Sequence, residues 1–255
     1  MKMKEMMAVT LGALVLMSAA ASAQNRTARG TVVPPGTNNA APPVIPAACS
    51  PCLWYSGDND VANPNWDGLF NANATWKKIK AQTWVPFIAA SDGNPLHKHV
   101  SISAVTFNEL TNTPDTNPPA DFVGMSYAFR TNVLSGKGGA LGRGGPCPAT
   151  SVVYTGLSPN GWNEYSYTCS LVSNPVKVAV GTIYWVNLMP TFNVSDYAYL
   201  SNAIDVPGLN QFGWGDDFYN SFFNSAYFGD TFAPATGLGS GFQEFSVAIA
   251  GTYVD

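Results

Sequence analysis

Three aspartates, Asp58, Asp60 and Asp67, crowd into the stretch CSPCLWYSGDNDVANPNWDG at residues 49–68, with Asn59, Asn63 and Asn65 among them. Calcium takes six to eight oxygen donors from carboxylates, amides and backbone carbonyls. These aspartates are therefore candidate calcium ligands, and a structural calcium is the one cofactor the sequence suggests. The spacing lacks the final glutamate of a helix–loop–helix calcium loop. Asp and Asn also hydrogen-bond their own backbone in turns, which is the competing reading. His97 and His99 are the only histidines. In an extended segment they share one face, where an H-x-H pair can take zinc or copper through its imidazole nitrogens. Glu109 or Asp92 would have to supply a third ligand. The alternative is two solvated imidazoles beside Lys98.

Glycoside hydrolysis needs two carboxyl groups about 5–9.5 Å apart across a cleft. Beyond residue 23 the glutamates are Glu109, Glu164 and Glu244. Glu164 and Glu244 are the pair that could meet on one sheet face, but no E-x-D-x-E strand accompanies them. A lone strand glutamate also discourages unwanted pairing at a sheet edge. No nucleophile elbow stands near the histidines, so no catalytic residue is assigned. The most suggestive feature is the aromatic run FGWGDDFYNSFFNSAYFGDTF at 212–232. Aromatic faces stack on sugar rings, and neighbouring carboxylates accept hydroxyl hydrogen bonds. Trp214, Asp216, Asp217 and Tyr219 are thus the candidate ligand-binding residues. Large exposed apolar patches are rare on soluble monomers, which favours burial for most of the phenylalanines. The segment SGKGGALGRGGP at 135–146 fails the residue order of a phosphate-binding loop and reads as a wide, glycine-permitted turn.

These residues need elements to hold them. Met125, Tyr127, Phe129, Thr131 and Val133 alternate with Ser126, Ala128, Arg130 and Asn132. Tyr165, Tyr167, Cys169 and Leu171 repeat the pattern, as do Phe245, Val247 and Ile249. TIYWVNLMP at 182–190 suits a central strand. Val100 and Ile102 fall out of phase with Val105 and Phe107, as one bulge would cause. Turn signals such as SDGNP at 91–95 separate the runs. Short helical turns are open at 71–80 and 216–225. The expectation is an all-β chain, a single two-sheet sandwich of jelly-roll type.

Residues 1–23 read as a secretory signal peptide: Lys2 and Lys4, an apolar run, then Ala21-Ser22-Ala23. Residues 24–48, rich in Pro, Thr, Asn and Ala, read as a disordered linker, and 49–255 as the sandwich domain. Without Lys2, Lys4 and Glu5, the 12 basic and 16 acidic residues become 10 and 15, a net charge of −5. No basic run exists, so nucleic acid is excluded as a partner. No membrane span is expected in the mature chain, and oligomeric state is left open. An even set of cysteines in an oxidising compartment suggests disulfides. Of the three pairings, Cys49–Cys52 and Cys147–Cys169 are favoured, since alternating stretches surround the second pair. A four-cysteine zinc site lacks its second C-x-x-C. A redox C-x-x-C needs a following helix to lower the thiol pKa, and Leu53-Trp54-Tyr55 reads as strand.

LWYSGD at 53–58, DGL at 67–69, YAFRTNVLSGKGGAL at 127–141, WNEYSY at 162–167 and GTIYWVNLMP at 181–190 occur in an order with a counterpart. Together they resemble a family of secreted bacterial proteins with W-Y-[SA]-G-D and GTYWLxVxP motifs. That resemblance implies an exported β-sandwich without an assigned activity, and transfers no catalytic residue. The chain departs in lacking the C-terminal sorting tail of some members and in carrying Ile183 within G-T-Y-W. In such a bacterial setting the acceptor patterns Asn73-Ala74-Thr75 and Asn193-Val194-Ser195 are not expected to carry glycans.

The reading is a secreted protein, extracellular or periplasmic, that is non-catalytic and binding or structural, with polysaccharide the leading ligand. Its rivals are a carbohydrate-active enzyme, a glycoside hydrolase or lyase using Glu164 or Glu244, and a purely structural envelope or matrix protein.

Overall fold

Period-two alternation of apolar residues with no helical period calls for pleated sheets that bury one face, and here two sheets lie face to face. The computed structural model describes residues 49–56, 71–76, 79–111, 118–157, 163–193, 198–200, 221–235 and 245–255. All fall in one compact unit, residues 32–255; the other, 1–31, lies outside the described residues.

The spine of the first sheet is β5 (His99–Thr111). On one side it pairs with β15 (Val247–Val254), which carries β1 (Cys52–Tyr55) on its far edge. Beyond β15, the short strand β12 (Ala198–Leu200) continues that side and pairs with β2 (Asn71–Ala72). On the other side stand β10 (Val176–Ala179) and then β9 (Asn163–Ser170), with β8 (Ala149–Leu157) outermost. The phase slip seen in the sequence is a bulge. Ala250 opposes Ala104, yet Gly251 opposes Ile102, so Ser103 is the extra residue. Val100 and Ile102 before it, and Val105 and Phe107 after it, are all fully buried.

The second sheet runs in the order β14 (Asp230–Pro234), β13 (Phe222–Ser225), β4 (Ile79–Ile88), β3 (Ala74–Trp76), β11 (Ile183–Phe192), β6 (Phe122–Thr131) and β7 (Ala140–Pro146). The two sheets pack as a β-sandwich. Val105, Phe107, Tyr165 and Tyr167 of the first meet Val85, Phe87, Phe129, Val186 and Leu188 of the second in one core. The helical turn left open at 71–80 is instead β2, β3 and the start of β4, because these residues are needed as pairing partners between distant strands.

Both expected disulfides form, Cys49–Cys52 and Cys147–Cys169, the latter with Cα atoms 5.5 Å apart. Cys147 lies where the chain leaves β7 for β8, so this bridge fastens the crossing between the sheets to the inner face of β9. Such bonds persist in oxidising surroundings. Among the described residues no helix is long and apolar enough to cross a membrane.

Candidate functional site

The described part of the aromatic run divides between core and surface. In β13, Phe223 points into the main core and Phe222 to the other side of the sheet. There Phe222 and Phe232 of β14 join Trp84, Trp185 and Val133 in a second apolar cluster. β13 is held to β4 through Phe222↔Trp84 and Phe223↔Thr83, and by a 2.8 Å bond from Ser225 Oγ to the Lys80 carbonyl. Gly229, at φ +80°, supplies the left-handed residue that closes the turn into β14.

At that tip Tyr227 and Phe228 are 64% and 47% exposed, set edge-to-face with ring centroids 5.0 Å apart. Phe228 also packs 5.9 Å from the Phe223 ring, so the pair is anchored to the core while facing water. Asp230 begins the next strand, paired with Ser225. Sequence reasoning passed over Tyr227 and Phe228. The clue was their place just before Gly229-Asp230: two adjacent aromatics in a tight turn cannot both reach the core. Trp214, Asp216, Asp217 and Tyr219 lie outside the described residues, as do Asp58, Asp60, Asp67 and Glu244.

Glu109, on β5 of the first sheet, faces a fork in the second. β4 and β11 pair directly from Val85–Val186 to Ile88–Ile183, then diverge to admit β3. Divergence strips ladder partners from the backbone, and buried backbone groups need others. Asn73, fully buried, supplies them. Its Oδ1 accepts from Thr83 N (3.0 Å) and Asn187 Nδ2 (2.7 Å), and its Nδ2 donates to the Leu188 carbonyl (2.6 Å). The same Nδ2 donates to Glu109 Oε1 at 2.7 Å, reaching across to the opposite sheet. Asn187 completes the plug with a 2.9 Å bond to the Thr83 carbonyl.

Burial drives the Glu109 carboxyl well above the usual carboxylate range, against the opposing hydrogen bond from Asn73. Burial thus favours its protonated, uncharged form. Its Oε2, the Tyr167 hydroxyl and Asp121 Oδ2 are buried without hydrogen-bond partners among the described residues. Burial, and then Glu109, Tyr165 and Asp121 nearby, push the Tyr167 hydroxyl far up. The arrangement ties sheet to sheet rather than facing a substrate.

Glu164 stands on the other face of the first sheet. Glu109 is cross-strand from Tyr165, and successive strand residues face opposite ways, so Glu164 points outward. There its Oε2 accepts from Thr155 Oγ1 at 2.8 Å.

Asp92 does meet a histidine. Its Oδ2 lies 2.6 Å from His97 Nδ1, while His97 Nε2 is 3.2 Å from Asn94 Nδ2. The His97 ring stacks on Tyr253 at 5.8 Å, and the Tyr253 hydroxyl donates to the Ala90 carbonyl. Hydrogen bonding from His97 holds the Asp92 carboxyl below its usual range. His97 lies in the loop before β5 and His99 is its first residue. Glu109, the other third-ligand candidate, is ten residues further along β5, roughly 33 Å away. Among the described residues no three His, Cys, Asp or Glu side chains gather as a metal group.

No family model, curated protein or solved structure matches the chain.

Proposed function

We propose that this chain is a secreted, non-catalytic β-sandwich module that binds polysaccharide outside the cytoplasm, in the periplasm or beyond it. The observation that carries the reading is the β13–β14 tip, where Tyr227 and Phe228 stand exposed, Phe228 packed on Phe223, with Asp230 two residues on in the chain. Ring faces for sugar C–H surfaces next to a carboxylate for hydroxyls are the parts a sugar platform uses. The candidates Trp214, Asp216, Asp217 and Tyr219 belong to the same run of sequence, outside the described residues. The two disulfides support folding in an oxidising compartment, in keeping with the signal-like residues 1–23 and the resemblance to secreted bacterial sandwich proteins.

Of the glutamates, Glu244 lies outside the described residues. Glu109 is committed to the fork inside the sandwich, and Glu164 to Thr155 on the outer face. The test is retention of the mature chain on a panel of insoluble and soluble polysaccharides, with reducing-sugar release followed on the same samples. Retention without sugar release is expected. Release of reducing ends would move the reading to a carbohydrate-active enzyme, and no retention on any polymer would favour a purely structural envelope component.

A further inference from the structure

Arg130 is a half-buried cation with no carboxylate partner among the described residues, where the one ion pair joins His97 and Asp92. It lies on the outward side of β6, its guanidinium carbon 5.0 Å from the Trp84 ring centroid and 5.4 Å from that of Phe232. One nitrogen, Nη1, donates to the Gly138 carbonyl at 2.9 Å; Nε is buried without an acceptor among the described residues. Aromatic faces attract such a cation but leave most of its donors unused.

The backbone around it is held in unusual conformations. Asn132 (φ 55°) and Phe232 (φ 44°) are the non-glycine residues at positive φ among the described residues. Asn tolerates that region; a bulky aromatic is strained there, and such strain gathers at ligand clamps. Gly136 N donates to the Phe232 carbonyl at 3.1 Å. Gly138 is required for the fit, since a Cβ there would stand 2.5 Å from the Phe232 ring. The loop between β6 and β7 is thus folded onto β14, with Phe232 and Trp84 flanking the guanidinium.

Charge points the same way. Residues 122–157 carry Arg130, Lys137 and Arg143 and no acid, in a chain of formal net charge −4. Arg143 turns to the other sheet and bonds Asn174. Lys137 is exposed, between the two glycines that touch Phe232. Cations on an edge hairpin can serve to discourage pairing of β7 with another sheet. That accounts for exposed charges; Arg130 is held instead by Trp84, Phe232 and the Gly138 carbonyl, the one acceptor of its guanidinium among the described residues.

We propose that Arg130, seconded by Lys137, receives the anionic group of an acidic polysaccharide, a carboxylate or a sulfate ester. A guanidinium fork suits either oxyanion. Phe228 and Phe232 belong to one hairpin and lie at most about 13 Å apart along the chain, with Phe228 packed on Phe223 of the core side and Phe232 on the outer face beside Arg130, so a polymer that meets both passes over the hairpin tip. The inference rests on the polysaccharide reading above and narrows it.

The test compares the mature chain, Arg130→Gln, Arg130→Lys and Lys137→Gln for binding to polygalacturonate, dextran sulfate and a neutral glucan. Each is measured at about 50 mM and about 500 mM salt, where screening differs strongly. The wild type is expected to prefer one or both acidic polymers at low salt and to lose that preference at high salt. Arg130→Gln should lose about tenfold or more, Arg130→Lys should recover only part of it, and Lys137→Gln should lose less than Arg130→Gln. Preference for polygalacturonate assigns the carboxylate, and for dextran sulfate the sulfate ester. Equal binding to the neutral glucan, or acidic binding unchanged by salt, overturns the inference and leaves polysaccharide binding standing. Binding to none of the polymers overturns both. Should Arg130→Gln fail to fold, the salt dependence of the wild type and the loss in Lys137→Gln decide the matter.

Discussion

Glu109 lies inside the sandwich, where burial favours its uncharged form, and this sets a pH dependence. In the unfolded chain a glutamate ionises near pH 4.3; folded, its pKa is raised well above that by burial. The stability it contributes is fully present below the unfolded value and drains away as pH rises through the folded one. The slope is at most about 1.4 kcal/mol per pH unit for one proton. Glu109→Gln keeps an acceptor for Asn73 and removes the titration. Urea unfolding of both proteins from pH 4 to 8 should show the wild type losing ground to Glu109→Gln as pH rises; a wild type that gains ground would contradict the assignment. Asn73→Ala is harsher. It strands the Thr83 amide, the Leu188 carbonyl and Glu109 together, with an expected loss of about 3 kcal/mol or more in the same assay. The inward phase of Glu109 was latent in the sequence, since it continues Val105 and Phe107 at period two. The role of Asn73 was not, because the fork it fills is made by three strands from distant parts of the chain. Its burial also agrees with the expectation that its acceptor pattern carries no glycan.

Strands were legible wherever one face is apolar and the other polar, as in β6 and β9, and the bulge in β5 could be read from a single slip of phase. Deleting Ser103 tests that reading. Without the extra residue, either Val100 and Ile102 or Val105 and Phe107 must turn outward, and the deletion should yield a chain that melts non-cooperatively or not at all. An unchanged melt would mean that the bulge sets nothing. The Cys147–Cys169 bridge spans a separation of 22 residues. Replacing both cysteines by serine should lower stability by about 3 kcal/mol, chiefly by freeing the unfolded chain, as read by denaturant titration under non-reducing conditions. Short elements escaped the sequence: β2 and β3 carry too few residues to show a period, and they exist because β4, β11 and β12 need partners there.

At the scale of the molecule, the apolar residues gather between two sheets, and what faces outward decides what the protein meets. The aromatic run at 212–232 was visible as a feature, but composition cannot say which rings face out. The β13–β14 register does, burying Phe222, Phe223 and Phe232 and leaving Tyr227 and Phe228 at the tip. The measurement that reaches the central claim most directly is a binding isotherm on whichever polysaccharide retains the mature chain, for the wild type and for Tyr227→Ala/Phe228→Ala. Tyr227 is mostly exposed and Phe228 half-exposed on Phe223, so the melting temperature should fall modestly with the transition still cooperative. A loss of affinity of about tenfold or more with the fold intact is the expected result, stacked aromatics contributing on the order of 1 kcal/mol each. An isotherm that the double variant leaves unchanged would contradict the platform.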